Sequence, residues 1–455
     1  MKFRPPSLLL PLMFLAAAAI AGAGCAGGAD EDASGKSANG GKAGDAAVEP
    51  SGRVFIIGVD GATWDRLNPL LETGRLKALA TLLRYGVRSD LESMLPTVSP
   101  ALWTTVATGK DFDKHGINDF TREVSDDGDV GAATIMHMTS NMRKTKALWN
   151  IMGDVNRRSN FVGWWVSWPA EEIDGYMVTS HIPLSQTGGR SLPTKGTLSE
   201  DVAGQTWPPE LFEEIAPMIR PADSVTYDEA KRFMSLTEDE IDRDIVEGFK
   251  WAYAADETYR KVIAHLLEKA PETELWGLYF NGVDVVEHRY WKYNEPEYYR
   301  PFDPEEIPRF RNVIDRYYVY TDELLWDIIK DRRPTDTFLV VSDHGFHARG
   351  HKDAPPGIFV ASGRHISPTA VPDNPRLVDI TPTVLALMGV SVAEDMDGRV
   401  LEELFTEEYR AAWNRETVPT YDTGDWGTGD ARPIASEVDE EFMERLEALG
   451  YLDAK

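Results

Sequence analysis

Three segments of this chain each read as an apolar strand that runs into residues able to bind a metal. Val54-Phe-Ile-Ile-Gly-Val59 ends on Asp60. Leu275-Trp-Gly-Leu-Tyr-Phe280 is followed by Asp284 and His288, and Thr337-Phe-Leu-Val-Val-Ser342 by Asp343 and His344, with His351 shortly after. Carboxylates and imidazoles are costly where apolar strands leave a core, unless they bind something. Strand and helix patterns alternate along the chain, which predicts an α/β fold with a mostly parallel central sheet and helices on both faces. In such sheets ligands bind beyond the carboxyl ends of the strands. Asp60, Asp284 and Asp343 fall at those ends, so residues far apart in sequence are expected to share one crevice. Together the three segments carry enough donors for two divalent ions. Ser99, between the first and second segments, is a candidate nucleophile, and the set reads as that of a metal-dependent hydrolase.

The first 52 residues do not belong to that pattern. Lys2 and Arg4 precede an apolar stretch from Leu8 to Ile20, broken by Pro11 and too short for a comfortable membrane span. Residues 1–24 therefore read as a signal peptide. Cys25, the one cysteine of the chain, follows directly. This arrangement resembles a bacterial lipobox, although Gly22 stands where lipoboxes usually carry Leu. Cleavage after Ala23, leaving a free thiol, is the rival reading. With no disulfide partner in the chain, lipidation of Cys25 is the expectation. Residues 25–52 then form the lipidated Cys and a flexible linker rich in Gly, Ala, Ser, Asp and Lys. The expected location is a membrane-anchored, exported lipoprotein, in a periplasm or on a cell surface.

From Arg53 the folded part begins. Helices are expected over 66–85, 100–107 with Ser99 as N-cap and Pro100 at N1, 144–153, 237–269, 305–331 and 377–389. Strands are expected at 160–166, 176–181 and 359–361 besides the three above. Residues 184–235 are rich in Pro, Gly, Thr and Asp and read as a cap insertion or lid within a catalytic domain spanning 53–401. Residues 402–455 read as an acidic tail ending in a helix at 437–449. The net charge of −28 disfavours nucleic-acid duplexes and anionic surfaces as partners. It does not exclude an anionic small molecule, because two divalent ions would outweigh three Asp ligands locally.

Taken singly, the site residues are weak signals. An Asp–His pair four apart is usually a surface ion pair, Asp60 could be a turn residue, and Ser99 could be a plain cap. Ser342-Asp-His-Gly345 is stronger, since adjacent Asp and His after a buried strand have few structural uses. His347 is an alternative to His351. A serine at a helix start can also sit where backbone N–H groups favour an anion.

As a set, these residues resemble the alkaline phosphatase superfamily, and within it the type I phosphodiesterase/nucleotide pyrophosphatase branch. The matching stretches are Val59-Asp-Gly61, Pro96-Thr-Val-Ser-Pro100, Trp103-Thr-Thr, Ala107-Thr-Gly109, Lys114-His-Gly-Ile117, Asp284 with His288, Ser342-Asp-His-Gly345, His351, Ile380-Thr-Pro-Thr383 and Met396-Asp-Gly398. The resemblance implies one metal on Asp284, His288 and His351, and another on Asp60, Asp343 and His344 with Ser99 as nucleophile. It implies zinc in both places; manganese is compatible with the donors. The implied activity is hydrolysis of phosphodiester or pyrophosphate bonds through a phosphoserine, on a small-molecule or lipid phosphoester. A phosphomonoesterase, a phospho-headgroup transferase and a non-catalytic binding lipoprotein are the alternatives. Two departures stand out. Family diesterases carry Thr where Ser99 stands, with Thr97 as a weaker substitute, and nucleotide-type members carry Asn where Phe120 stands, with Asn118 nearest. A sulfatase is disfavoured, because Ser99 is followed directly by Pro100 and Trp103 occupies the place of the sulfatase arginine. His115 is read as a structural hydrogen-bonding residue, and Trp164, Trp165 and Trp168 as aromatic core beside a strand.

Overall fold

Every residue of the segment Arg53–Val59 is buried, so it is a strand covered on both faces. The computed structural model describes residues 48–125, 133–182, 202–299, 303–348, 350, 354–424, 426 and 431–435, all within the unit Ala47–Lys455. The expected signal peptide, Cys25, most of the linker, residues 184–201 of the expected cap and the helix at 437–449 lie outside them. In chain order the strands are β1 (Arg53–Val59), β2 (Gly86–Leu91), β3 (Thr121–Ser125), β4 (Ala133–His137), β5 (Ser159–Val162), β6 (Gly175–Val178), β7 (Thr206–Trp207), β8 (Leu275–Phe280), β9 (Asp336–Val341), β10 (Gly357–Gly363), β11 (Val392–Ala393) and β12 (Thr417–Val418). The α-helices are α1 (Trp64–Glu72), α2 (Lys77–Arg84), α3 (Ser99–Thr108), α4 (Phe112–His115), α5 (Leu148–Asp154), α6 (Leu211–Ile215), α7 (Tyr227–Ala230), α8 (Asp244–Lys269), α9 (Gly282–Tyr290), α10 (Ile307–Phe310), α11 (Val313–Ile329), α12 (Ile380–Leu387) and α13 (Glu407–Ala412).

The main sheet runs β2-β10-β9-β1-β8-β5-β6-β7. Its five central strands, β9, β1, β8, β5 and β6, are parallel, while β10 and β7 run antiparallel to their neighbours. The α/β expectation therefore holds, with antiparallel strands toward the edges. Alternation along the strands divides the core in two. Phe55, Ile57, Trp276, Leu278 and Phe338 face the side covered by α8, α9 and α11. Val54, Ile56, Leu275, Tyr279 and Leu339 face the side covered by α3, α5 and α12.

Three expectations are corrected. The helix expected over 66–85 is two helices, separated where Gly74 turns with φ of 70°. Leu76 cannot cap α2 with its side chain, and Asp322 of α11 does so from outside, accepting from the N–H groups of Ala78 and Leu79 at 2.8 Å each. Residues 202–235 are not a cap over the fold: β7 extends the main sheet, and Leu211, Ile215, Phe233 and Met234 are buried in its core. Their apolar residues lie on elements too short to show a period. The packed core also runs past residue 401, since Tyr409 is buried and its hydroxyl donates to the Ala386 carbonyl at 2.7 Å.

The register of β1 against β9 is set at the end of the strands opposite the crevice. Arg53 and Asp336 are cross-strand partners, and the Arg53 guanidinium grips the Asp336 carboxylate from Nε at 2.9 Å and from a terminal nitrogen at 2.6 Å. Asp336 is 2% exposed and Arg53 9%. Replacing Asp336→Ala would strand a buried guanidinium, and the expected loss is about 3–5 kcal/mol of unfolding free energy in urea. The paired replacement Arg53→Met/Asp336→Leu should recover most of it. A single variant within about 1 kcal/mol of the parent would contradict this role.

Candidate metal centre

The loops after β1 and β9 meet because their strands are neighbours in register. Ser342 ties them together: its Oγ accepts the Ala62 N–H at 2.8 Å and donates to the His344 carbonyl at 2.8 Å. Asp60, Asp343 and His344 thereby converge. One ligand atom from each lies within 4.8 Å of the others, and all three residues are buried. His344 Nε2 stands 3.4 Å from Asp60 Oδ1 and 3.6 Å from Asp343 Oδ2. The other ring nitrogen, Nδ1, lies 3.0 Å from the Gly345 carbonyl. A carbonyl only accepts, so the proton sits on Nδ1 and a neutral ring offers its lone pair at Nε2, the state a metal needs.

Asp284 and His288 come from α9, which follows β8. One helical turn separates them, with His288 Nε2 3.6 Å from Asp284 Oδ2. Gly61 joins this pair to the first cluster. Its φ is 74°, and a Cβ there would fall 2.9 Å from the Asp284 Cβ, so the turn after Asp60 packs directly on Asp284. Phe346 sets its ring edge-on to His288, with centroids 4.8 Å apart. The loop continues back across the site: a Cβ on Gly350 would be 3.8 Å from His288 Cε1. The next residue, His351, lies outside the described residues. His347 is half-buried in the same loop.

The electrostatics of this cluster call for a cation. Burial, with the charges of Asp60 and Asp284 beside it, pushes the Asp343 carboxyl well above the usual carboxylate range. Both Asp343 oxygens are buried with no hydrogen-bond partner among the described residues. Buried carboxylates in contact, with an imidazole lone pair between them, form a donor set suited to zinc or manganese. The residues present therefore fit a divalent metal: Asp60, Asp343 and His344 form a group that could hold one, with Asp284 packed beside it through Gly61.

Ser99 is fully buried, and its hydroxyl has no partner among the described residues. The helix starts one residue earlier than expected: Val98 is the N-cap and Ser99 the first helical residue. Two of the N–H groups of this first turn are engaged within it. Pro100 has no N–H, and Ala101 and Leu102 both direct theirs to the Val98 carbonyl, at 2.9 and 3.0 Å. The helix that carries Ser99 is tied to the β1 loop by Trp103, one turn along α3, whose Nε1 donates to Asp60 Oδ2 at 3.0 Å. Thr97 lies before the helix and is half-buried.

The other motif residues hold the frame. His115 Nδ1 accepts the Ile117 N–H at 3.2 Å, so its Nε2–H donates to Thr105 Oγ1 at 3.0 Å. Burial, with the Arg143 charge nearby, pulls its pKa down to about 3. It is a neutral structural histidine. Thr381 donates to the Val106 carbonyl at 2.7 Å, and Asp397 accepts from the Asp111 N–H at 2.9 Å, so the later motifs buttress α3 and α4. Trp164 and Trp168 are buried among aromatic rings, as expected of core residues. Phe120 is 6% exposed and packs its ring against Trp165 at 5.7 Å.

Sequence reasoning gave no role to Tyr279, Ser342, Glu287 or Tyr318. Tyr279 donates to Asp60 Oδ2. Tyr318 accepts the Thr63 N–H at 3.1 Å and donates to the buried Glu287 at 3.0 Å, fastening α9 and α11 to the β1 loop. The available signal was a tyrosine inside a wholly apolar strand, whose hydroxyl must find a partner.

Comparison with known proteins follows this geometry. A family profile described as Type I phosphodiesterase / nucleotide pyrophosphatase matches residues 54–355. A search of curated proteins found no match. Among solved structures, a phosphonoacetate hydrolase from Sinorhizobium meliloti 1021 is 15% identical, with 69% of this chain and 61% of that one covered and a TM-score of 0.37. The present chain thus spans less than two thirds of that hydrolase. The wild-type alkaline phosphatase PafA is 10% identical, covering 79% of this chain and 100% of its own, with a TM-score of 0.48. A protein in the alkaline phosphatase superfamily from Vibrio parahaemolyticus is 13% identical, with 80% and 72% covered and a TM-score of 0.42.

Two outcomes are expected from this geometry. Gly61→Ala should displace Asp284 and lower divalent-metal affinity by about 10- to 100-fold. Gly74→Ala, with φ of 70° but no atom within 4 Å of the added Cβ, should cost only about 1 kcal/mol and leave affinity alone. Metal titration of the two variants compares them. His115 concerns pH. Folded, it stays neutral down to about pH 3, whereas the unfolded chain takes up that proton near 6.5. The unfolded state therefore binds more protons between those values, and stability is fully present above 6.5 and falls on acidification. The contribution lost by pH 5 is about 2 kcal/mol. Urea unfolding at several pH values should show a shallower slope for His115→Gln.

Proposed function

The chain belongs to the type I phosphodiesterase/nucleotide pyrophosphatase family, and from that premise we propose that it is an exported, metal-dependent phosphodiesterase acting through a phosphoserine at Ser99. Family membership carries phosphoester hydrolysis itself. The finer reading rests on one observation: the buried Asp60–Asp343–His344 triangle, packed through Gly61 against Asp284, at the carboxyl ends of adjacent parallel strands. Structural uses for such a cluster are few, because carboxylates pressed together in a core repel one another.

In this reading one ion is held by Asp60, Asp343 and His344 with Ser99, and another by Asp284, His288 and His351. When bound, divalent metal supplies the positive charge that makes the serine hydroxyl acidic and neutralises the phosphoryl oxygens. Ser99 Oγ attacks phosphorus in line, its O–P bond forming as the bond to the leaving alcohol or phosphate breaks, and the serine proton ends on the departing oxygen; in the second half the attacking water's proton returns to Ser99 Oγ. Water then cleaves the phosphoserine and restores Ser99. His344 is kept in its ligand tautomer by the Gly345 carbonyl throughout.

The substrate in this proposal is a small-molecule or lipid phosphoester. An anchored lipoprotein, tethered through Cys25 outside the cytoplasm, suits such a role. One observation favours a second reading, a phosphomonoesterase: Phe120, packed against Trp165, offers no donor to a phosphoryl oxygen where nucleotide-type relatives would have Asn.

Initial rates of the zinc-loaded protein on bis-p-nitrophenyl phosphate and p-nitrophenyl phosphate separate the two readings. Preference for the diester is expected; preference for the monoester moves the chain to the phosphatases. Ser99→Ala should lose at least ~10³-fold in kcat while still binding zinc. Full turnover by that variant would sink the phosphoserine mechanism.

A further inference from the structure

The hydrogen bonds around Asp60 fall on one side of its carboxylate. Trp103 Nε1 donates to Oδ2 at 3.0 Å, and the Tyr279 hydroxyl donates to the same oxygen. Oδ1 is the oxygen that faces His344 Nε2. Tyr279 is not free to turn away. Its oxygen accepts from Trp165 Nε1 at 2.7 Å, so its own proton is directed to Asp60. The donors come from different elements, α3 for Trp103, β8 for Tyr279 and the loop after β5 for Trp165. Gly58 makes the approach of α3 feasible, because a Cβ there would sit 2.6 Å from the Trp103 ring. Trp103 and Tyr279 also meet edge to face, with centroids 5.0 Å apart.

We propose that Tyr279 is a positioning residue for the metal at Asp60, Asp343 and His344: held by Trp165 and assisted by Trp103, it pins Asp60 Oδ2 so that Oδ1 alone is presented to the ion. The inference rests on the metal reading of the site. Hydrogen bonds to an ionised carboxylate are about twice as strong as neutral ones, and two of them on one oxygen fix the plane of the group. A carboxylate so held would meet an ion without reorienting, and Asp343, His344 and Ser99 would complete the set of residues that hold it. Trp165 is half-buried and touches Phe120, so the line of donors runs from the aromatic wall beside Pro100 to the metal ligand.

The test is zinc affinity, measured on the full chain by competition with a chromogenic chelator, together with the melting temperature of the metal-free protein. Tyr279→Phe removes one proton donor and keeps the ring. The expected result is zinc binding by the folded chain weakened by about 10- to 100-fold, whatever the change in metal-free melting temperature. Tyr409→Phe, which likewise removes a buried hydroxyl but one that donates to the Ala386 carbonyl and to no residue of the metal site, should leave zinc affinity as it is. A merely structural role for Tyr279 would lower the metal-free melting temperature and spare the affinity, and that result overturns the inference. Should Tyr279→Phe fail to fold, Trp165→Phe takes its place: weaker zinc binding supports the inference and unchanged binding overturns it. A wild-type chain that binds no divalent ion overturns the metal reading and this inference together. Zinc binding by the wild type with an unaffected variant overturns the inference alone.

Discussion

Parallel register between β1 and its two neighbours is the constraint on which the site depends. Arg53 pairs with Asp336 at the start of β1 and β9, and the register runs without a bulge to Gly58 opposite Val341. Continued two residues further, that register sets Asp60 opposite Asp343. A slip of one residue would turn one carboxylate to the other side of the sheet. The same count against β8, with Val59 opposite Phe280, brings the start of α9 beside the Asp60 loop, and α9 then presents Asp284. The buried Arg53–Asp336 grip stands at the opposite end of the strands from the ligands they deliver.

Concentrating buried carboxylates at one place has a cost, which the surroundings are arranged to limit. Asp60 accepts hydrogen bonds from Trp103 and Tyr279, the His344 ring is oriented by a backbone carbonyl, and Ser342 stitches the two ligand loops. Asp343 receives no donor among the described residues, and burial with neighbouring negative charge drives its carboxyl upward. Asp322, also buried, satisfies two backbone N–H groups and caps a helix, and Asp336 holds Arg53.

Much of this was legible in the chain. Apolar strands ending on Asp or His were enough to expect the sheet, its helices on both faces and the crevice. The elements misjudged were those whose reasons lie elsewhere in the fold. The break between α1 and α2 is stabilised by Asp322, more than two hundred residues away in sequence. Residues 202–235 lack periodicity, yet their isolated apolar side chains fill the core beside α8. At Ser99 the sequence pointed to a helix start one residue later; in the fold Val98 accepts from Ala101 and Leu102, and Trp103 ties the helix to Asp60.

By itself the sequence determined the residue types and their order: strands whose apolar faces must be buried on both sides, and acids and imidazoles at the strand ends that burial alone would not tolerate. Those follow from local pattern and from the cost of burying charge. Only the tertiary structure decided which oxygen of Asp60 faces His344, that Gly61 must admit Asp284, and that Tyr279 and Trp103 act on the same carboxylate. Such matters depend on distances between side chains from different strands and helices. Those distances are set by sheet register and helix packing, which no single segment contains.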